Sequence, residues 1–416
     1  RIDIPNTSQL NLGGIIELDG VITISAAASS TDLRSTGGDL VINGDGQIQM
    51  NNSNSNYIRA VTTGQRITFN NVGGVRGSGQ IGVESAAITN NTTIAASGST
   101  GLRIDPLTGS GFDNNGVVLA ETGSSLTFLA GPFDNRDGVI RLQPSSTATL
   151  QSVEIIGGVL AGATDAAFVV STTPTLNGVT LDSLALMRIN NTQTLDVVNG
   201  IINNGEIRID AAASNTTLRF NGNQTISGTG TISLITSAAR MNAATANQRL
   251  TVVGNTIRGT GQIGVDLLAI TNRGQVLADV AGGFTIDPPA GAPFINDVGG
   301  LIHLTLGNVT VNAGGFTNAG GTITIDAGRK LDRSGADGFI QTAGDTLVNG
   351  EFEVDSNSFE LQGGTLAGSG TATNNGWVDS NLTNTGGVIS PGATAASGIG
   401  LLTIEGTLSQ SGNGET

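Results

Sequence analysis

The side chains that could carry catalysis in this sequence are mainly its 33 aspartates and glutamates, so their arrangement decides whether an enzyme is expected. Glycoside hydrolysis needs two positioned carboxylates, one of them often with a raised pKa. Cleavage by elimination needs a strong base and calcium-binding carboxylates. Here the acidic residues are dispersed, and the motifs Asn-Thr-Asp, Asp-Asp, Gly-His-Gly and Arg-Ile-Lys do not occur. The sequence predicts no enzyme, and a polysaccharide lyase or hydrolase with a divergent site stays as an alternative.

Three other features look like site motifs but have ordinary explanations. His303, the only histidine, falls at an outward position of an alternating strand, and no second histidine could help it bind a metal. The tripeptide Ile-Asp-Pro, at 104–106 and again at 286–288, is a typical turn initiator. The Gly-x-Gly-x-x-Gly spacing at 77–82 and 259–264 lacks the helix that must follow it in a dinucleotide site. We predict no catalytic, cofactor-binding or metal-binding residue among them.

Two features could bind a partner or an ion. Trp377, the only tryptophan, stands at the first outward position of a strand, where an aromatic ring can stack on a sugar or anchor a partner; packing on neighbouring side chains is the alternative. The segment Asp-Ser-Asn-Ser-Phe-Glu at 355–360 offers oxygens to calcium but lacks the spacing of a dedicated calcium loop. No cofactor is predicted beyond this calcium option.

Composition narrows the class of protein. There are 63 glycines, 38% hydrophobic and 3% aromatic residues, which indicates an ordered chain with thin, aliphatic layers. The net charge of −15 argues against a nucleic-acid partner. No apolar run is long enough to cross a membrane. The absence of cysteine is compatible with export, and Arg1 in place of methionine suggests that an export segment or pro-segment has been removed.

A pentapeptide of the form Gly, any, aliphatic, any, aliphatic recurs along the chain. Its alternation predicts short strands with one dry face. Examples are Gly46–Met50, Gly79–Val83, Gly138–Leu142, Gly205–Ile209, Gly261–Val265, Gly300–Leu304 and Gly321–Ile325. Asn-rich turns precede many of them, because Asn and Gly tolerate left-handed backbone conformations.

The spacing of these units predicts the fold. Gly116 to Gly138 is 22 residues and Gly300 to Gly321 is 21, a period typical of a solenoid. No stretch keeps a helical period, so we predict an all-β, parallel β-helix (β-solenoid), right-handed, with roughly twenty residues per coil. Stacks such as Ile302 over Ile323 would form a narrow interior with little room for large rings.

A longer duplication overlies the short repeat. Residues 76–94 match residues 258–276, and residues 102–112 match 284–294 at the same offset. The whole copied block covers about 44–142 and 228–325. We therefore predict one elongated β-solenoid over residues 1–416, with this block present twice.

Residues 386–416 carry a longer motif, written roughly G-x-V-x-P-G-x-S-x-G-x-L-x-I-x-G-x-x-x-Q. The matching positions are Gly387, Ile389, Pro391, Gly392, Ser397, Gly400, Leu402, Ile404, Gly406 and Gln410. This segment resembles the end of passenger regions in autotransporter-type and related bacterial surface proteins. The resemblance implies a secreted, cell-surface β-solenoid, often an adhesin or a matrix component.

Taken together, these features favour an extracellular structural protein that assembles with copies of itself, by end-to-end stacking or strand exchange, into a filament, matrix fibre or coat. The alternative is a monomeric adhesin that binds surface glycans through Trp377. Neither hypothesis requires a nucleic acid or a membrane span.

Overall fold

The chain folds as an all-β parallel β-solenoid of about 17 turns, with roughly 23 residues per turn. This computed structural model describes residues 1–335, 337–368, 376–392, 400–412 and 414–415, and it leaves out the side chains of residues 356 and 357. No α-helix occurs in these ranges, so none of them contains a helix that could cross a membrane. The predicted fold class is confirmed.

The chain divides into two compact units, residues 1–206 and 207–416. The strands of unit 1 are β1 Ile2–Pro5, β2 Gln9–Glu17, β3 Val21–Ser25, β4 Thr31–Asn43, β5 Gln47–Met50, β6 Asn56–Ala60, β7 Gln65–Phe69, β8 Val75–Gly77, β9 Gly79–Gly82, β10 Ala86–Asn90, β11 Thr93–Ala96, β12 Leu102–Ile104, β13 Phe112–Asn114, β14 Val117–Ala120, β15 Ser125–Leu129, β16 Pro132–Asp134, β17 Val139–Leu142, β18 Thr147–Gln151, β19 Glu154–Ile156, β20 Val159–Ala161, β21 Ala167–Ser171, β22 Thr175–Asn177, β23 Thr180–Leu181, β24 Leu186–Asn190, β25 Thr194–Val198 and β26 Ile201–Asn203.

Strand β27 comprises Glu206–Asp210. The strands that follow it in unit 2 are β28 Thr216–Phe220, β29 Gln224–Ser227, β30 Thr231–Leu234, β31 Ala239–Ala243, β32 Gln248–Gly259, β33 Gly261–Gly264, β34 Leu268–Ala278, β35 Phe284–Ile286, β36 Phe294–Asp297, β37 Leu301–Leu304, β38 Val309–Val311, β39 Phe316–Ile325, β40 Lys330–Arg333, β41 Phe339–Val348, β42 Glu351–Leu361, β43 Thr365–Gly368, β44 Gly376–Asn384, β45 Val388–Pro391, β46 Leu402–Glu405 and β47 Leu408–Gln410.

Each strand pairs in parallel with a strand about one coil later, which satisfies the backbone groups between coils. The spacing predicted near twenty holds locally: Val117 pairs with Val139. It is longer elsewhere, since Val21 pairs with Gln47 and Leu40 with Ile67. The average turn is therefore longer than predicted, because many corners take extra residues.

Inward and outward side chains alternate along the strands, as predicted. Ile48 and Met50 are buried while Gln49 is exposed, and Ile302 pairs with Ile323. The expectation that the interior has little room for large rings was wrong, because all 12 phenylalanines are buried. In unit 2, rings from successive coils form one column, made of Phe294, Phe316, Phe339 and Phe359. Rings on successive coils are about 4.8 Å apart, a separation that suits aromatic contact. The few rings of this chain can therefore stack on one another inside the solenoid.

Buried asparagines form hydrogen-bonded columns at the corners of both units. In unit 1, the Asn90 side-chain amide donates to Asn114 Oδ1 (2.8 Å), and Asn114 donates to Asn135 Oδ1 (2.6 Å). In unit 2, Asn272, Asn296 and Asn318 repeat this pattern. The Asn-rich turns predicted from the sequence therefore also contribute an internal polar column.

The duplicated block contains a strained turn in each copy. In unit 1, Val83 and Glu84 both have positive φ angles, 54° and 52°, and Ser85 N–H donates to the Gly82 carbonyl (3.1 Å). In unit 2, Val265 and Asp266 have φ angles of 51° and 55°. This is the geometry of a type I′ turn, which is unusual for a β-branched residue.

The C-terminal segment 386–416 contributes further coils. Its strands β45, β46 and β47 pair with β43 and β44. Pro391 ends β45, and Leu402 and Ile404 belong to β46. Ser397 of the motif lies outside the described residues.

Candidate functional site

Four successive coils of unit 2 present strand triplets in the same phase, with the middle residue inward and the outer two outward. The triplets are Lys330-Leu331-Asp332, Glu351-Phe352-Glu353, Trp377-Val378-Asp379 and Thr403-Ile404-Glu405. Because parallel pairing aligns the triplets, their outward residues form two columns. Successive residues of one column are about 4.8 Å apart along the coils. We call this surface the tryptophan face.

The first column places Trp377 between polar neighbours. Its register partners are Glu351 on one coil and Thr403 on the next. The residue is 43% exposed, so much of the indole is accessible to a partner. The outward position predicted for Trp377 is therefore where the structure places it.

The second column consists of carboxylates on four consecutive coils, Asp332, Glu353, Asp379 and Glu405. Like charges directly opposite each other destabilise a sheet. Burial and the charges of Asp355 and Glu353 raise the pKa of Asp332. The tryptophan face is therefore strongly acidic.

Lys330 partly offsets this repulsion. Its Nζ lies 3.1 Å from Glu351 Oε1 and forms a second ion pair with Glu353. Burial opposes the charged ammonium, but hydrogen bonds to Glu353 and Glu351 outweigh it and raise the pKa of Lys330. The hydrogen bond from Lys330 in turn lowers the pKa of Glu353. The only lysine of the chain therefore stays charged within this group of acids.

Asp332, Glu353 and Asp355 each contribute a carboxylate oxygen to a cluster within 4.8 Å. Burial and the neighbouring Glu353 raise the pKa of Asp355. Oxygen ligands of this kind suit calcium. The calcium site suggested by residues 355–360 would thus use Asp355 together with Asp332 and Glu353, which lie outside that segment. Lys330 would compete with the calcium ion for Glu353.

The remaining sequence candidates occupy ordinary positions. His303 Nε2 lies 3.1 Å from Asp326 Oδ1 on the outer surface. The carbonyl of Asp105 accepts the Glu84 N–H (3.0 Å), and the carbonyl of Asp287 accepts the Asp266 N–H (2.8 Å). Both Ile-Asp-Pro motifs therefore support the strained turns.

The carboxyl groups of these two aspartates are perturbed in the same direction. Burial raises the pKa of Asp105, although Arg103 opposes the shift. Burial and the charge of Asp266 raise the pKa of Asp287. The Gly-x-Gly-x-x-Gly segments contain the strands β9 and β33, whose final glycines, Gly82 and Gly264, begin the strained turns.

Sequence reasoning missed the acidic column beside Trp377. The information was present, because each of the four triplets has an apolar middle residue followed by an acidic one. The intervals between their first residues are unequal, however, at 21, 26 and 26 positions, and a fixed period does not align them. The register of the folded coils is what brings these acids together.

Chemically, the tryptophan face can recognise a ligand, because an accessible indole offers a stacking surface and the carboxylates accept hydrogen bonds from hydroxyl groups. Comparison of this chain with protein-family models, curated proteins and solved structures finds no match.

Proposed function

We propose that this protein is an extracellular structural protein whose solenoid associates with copies of itself through the edge of the coil that contains β1 and β2. The resemblance of residues 386–416 to surface-protein passengers supports the extracellular part of the proposal. The acidic surface, with a net charge of −15, suits a soluble exported protein.

The observation that supports the assembly is that, among the described residues, β1 and β2 pair on one side only. These strands pair with β3 and β4, and no strand of the described residues pairs with their other side. Leu10 and Ile16 of β2 are partly exposed, whereas their register partners Leu33 and Ile42 are fully buried. An edge with unpaired backbone groups and uncovered aliphatic side chains is a template for another β-strand.

Charged side chains at the inward positions of this edge should prevent assembly. The double variant Leu10→Lys, Leu12→Lys places two ammonium groups where the apolar interior of a second copy would pack. Inward-pointing charges of this kind block the addition of another strand. We expect the wild-type protein to form filaments visible by negative-stain electron microscopy and the variant to stay monomeric in analytical ultracentrifugation.

The control is Ile15→Lys, which adds a single ammonium group to the outward face of the same strand, where Ile15 is 72% exposed and pairs with Val41. It should assemble like the wild type. Wild-type protein that stays monomeric at every concentration, or filaments unchanged in the double variant, would contradict the proposal.

A second candidate function, a glycan-binding surface, is favoured by the tryptophan face. Trp377 is accessible and lies beside Asp379, so an indole and a carboxylate are available to one sugar. Stacking on aromatic residues and hydrogen bonds to acids are the contacts that sugars offer in shallow sites.

Removing the indole tests this candidate. Trp377→Ala should abolish glycan-array binding, since the main apolar contact is lost. The control is Leu408→Ala, because Leu408 in unit 2 is also 43% exposed. Equal array signals for the wild type and Trp377→Ala, with unchanged circular dichroism, would rule out Trp377 as the contact.

A further inference from the structure

Two arginines of unit 1 lie directly opposite each other on adjacent coils. Arg34 of β4 pairs in register with Arg59 of β6, and both side chains are outward and half-buried. Opposed like charges destabilise a sheet unless something neutralises them. This pair is unusual in a chain with 18 basic and 33 acidic residues.

One buried carboxylate, Asp32, lies between the two guanidinium groups. Its oxygens are 2.8 Å from Arg34 Nη2 and 2.8 Å from Arg59 Nε. The first contact is a hydrogen bond, whereas the second is an ion pair whose geometry leaves Asp32 Oδ1 without a hydrogen-bond donor. One negative charge therefore faces two positive charges.

The arginines retain unused hydrogen-bond donors. Arg34 Nε is buried without an acceptor, and among the described residues Nη2 is the only side-chain nitrogen of Arg34 that donates a hydrogen bond. Within the part of the chain that the structure describes, the Arg59 guanidinium forms an ion pair with Asp32 but no hydrogen bond, and its carbon lies 5.2 Å from the Tyr57 ring centroid. Because a guanidinium carries five N–H donors, the two arginines have donors left to offer a ligand.

The strained turn of the next coil lies beside Arg59. Gly82 is the register partner of Arg59, and a side chain at Gly82 would collide with the Asp105 carbonyl. Immediately after it, the strained turn carries the chain through Val83 and Ser85. The result is a cavity of about 220 Å³, lined by Arg34, Arg59, Ala60, Val61, Val83 and Ser85.

We propose that this cavity binds a carboxylate-bearing sugar, a uronic acid unit of a polysaccharide. A planar carboxylate matches the guanidinium fork and would supply the second negative charge. Val61, which is 54% exposed, and Val83 offer an apolar wall for the sugar ring. Glu84 is the acid on the turn, but its carboxylate already accepts a hydrogen bond from the Thr108 hydroxyl, which lies 3.1 Å from both oxygens.

The second copy of the duplicated block, together with strand β28 that precedes it, shows which residues are particular to this cavity. Register places Arg219 and Asn242 in unit 2 where Arg34 and Arg59 stand in unit 1, followed by Gly264 in place of Gly82. Thr217 occupies the position of the buried Asp32. The glycine and the turn are retained, whereas the arginine pair and its carboxylate occur only in unit 1.

The test is titration calorimetry of the full chain with sodium galacturonate, with glucose and sodium sulfate as comparison ligands. Galacturonate should bind, and Arg59→Gln should weaken binding about ten- to a hundredfold, because a hydrogen bond to a charged group is lost. Val61→Phe, which fills the cavity and keeps both arginines, should weaken it as well. Arg219→Gln is the matched control and should bind like the wild type.

Each outcome decides the proposal. Absence of galacturonate binding, or undiminished binding in both Arg59→Gln and Val61→Phe, overturns it. Equal affinity for sulfate overturns the carboxylate assignment, and equal affinity for glucose overturns the role of charge. Arg34 pairs with Asn11 of β2, but no residue that lines the cavity belongs to β1 or β2, so loss of galacturonate binding alone would leave the proposed function untouched.

Discussion

Replacing Phe339 with alanine is expected to lower the free energy of unfolding by about 3–5 kcal/mol, the cost of a large cavity in a packed core. Phe339 is fully buried. Its ring centroid lies 5.0 Å from that of Phe316, 4.8 Å from Phe352 and 4.7 Å from Phe359. Since three aromatic contacts are lost together, neighbouring coils cannot easily close the space.

The chain contains a convenient probe and control for this experiment. Trp377 is the only tryptophan, so its fluorescence during urea denaturation reports on unit 2. Ile340→Ala changes the next residue of the same strand, whose side chain faces outward and is partly exposed. We expect the control to cost less than half as much. Equal losses from both variants would show that the Phe column does not dominate the stability of these coils.

Much of the fold was predictable from local patterns. Alternation in pentapeptides such as Gly46–Met50 encodes which side chains point inward, and the Asn-rich turns indicate where the chain changes direction. The error about the Phe residues has a physical cause. Sequence shows that rings are few, but only the register shows that Phe316 and Phe339 are stacked one coil apart, where their mutual contact makes them fit.

The surface features depended even more on register. The outward position of Trp377 follows from alternation alone, but its neighbours come from coils of unequal length. Arg34 and Arg59 are 25 positions apart, which a period of twenty would not align. Corner lengths are set by local turn geometry and by the packing of each corner, so columns of charge could not be assembled from the sequence.

The buried asparagine column should be as important to unit 1 as the Phe column is to unit 2. Asn114→Ala removes the acceptor of the Asn90 amide and the donor to Asn135 Oδ1, both in buried surroundings. A buried polar group without a partner costs about 1–3 kcal/mol. We expect a loss of about 2–4 kcal/mol, seen as faster amide hydrogen exchange across residues 86–142.

The adjacent residue provides a control of the same chemistry. Asn115 is exposed, and its side-chain amide donates to Asn91 Oδ1 (2.7 Å) in a second column of asparagines on the outer surface. Water can replace this bond, so Asn115→Ala should change hydrogen exchange by the equivalent of less than about 0.5 kcal/mol. If both variants exchange alike, burial does not determine what an asparagine column contributes. If only Asn114→Ala accelerates exchange, the internal column stabilises the coils while the outer one is dispensable for folding.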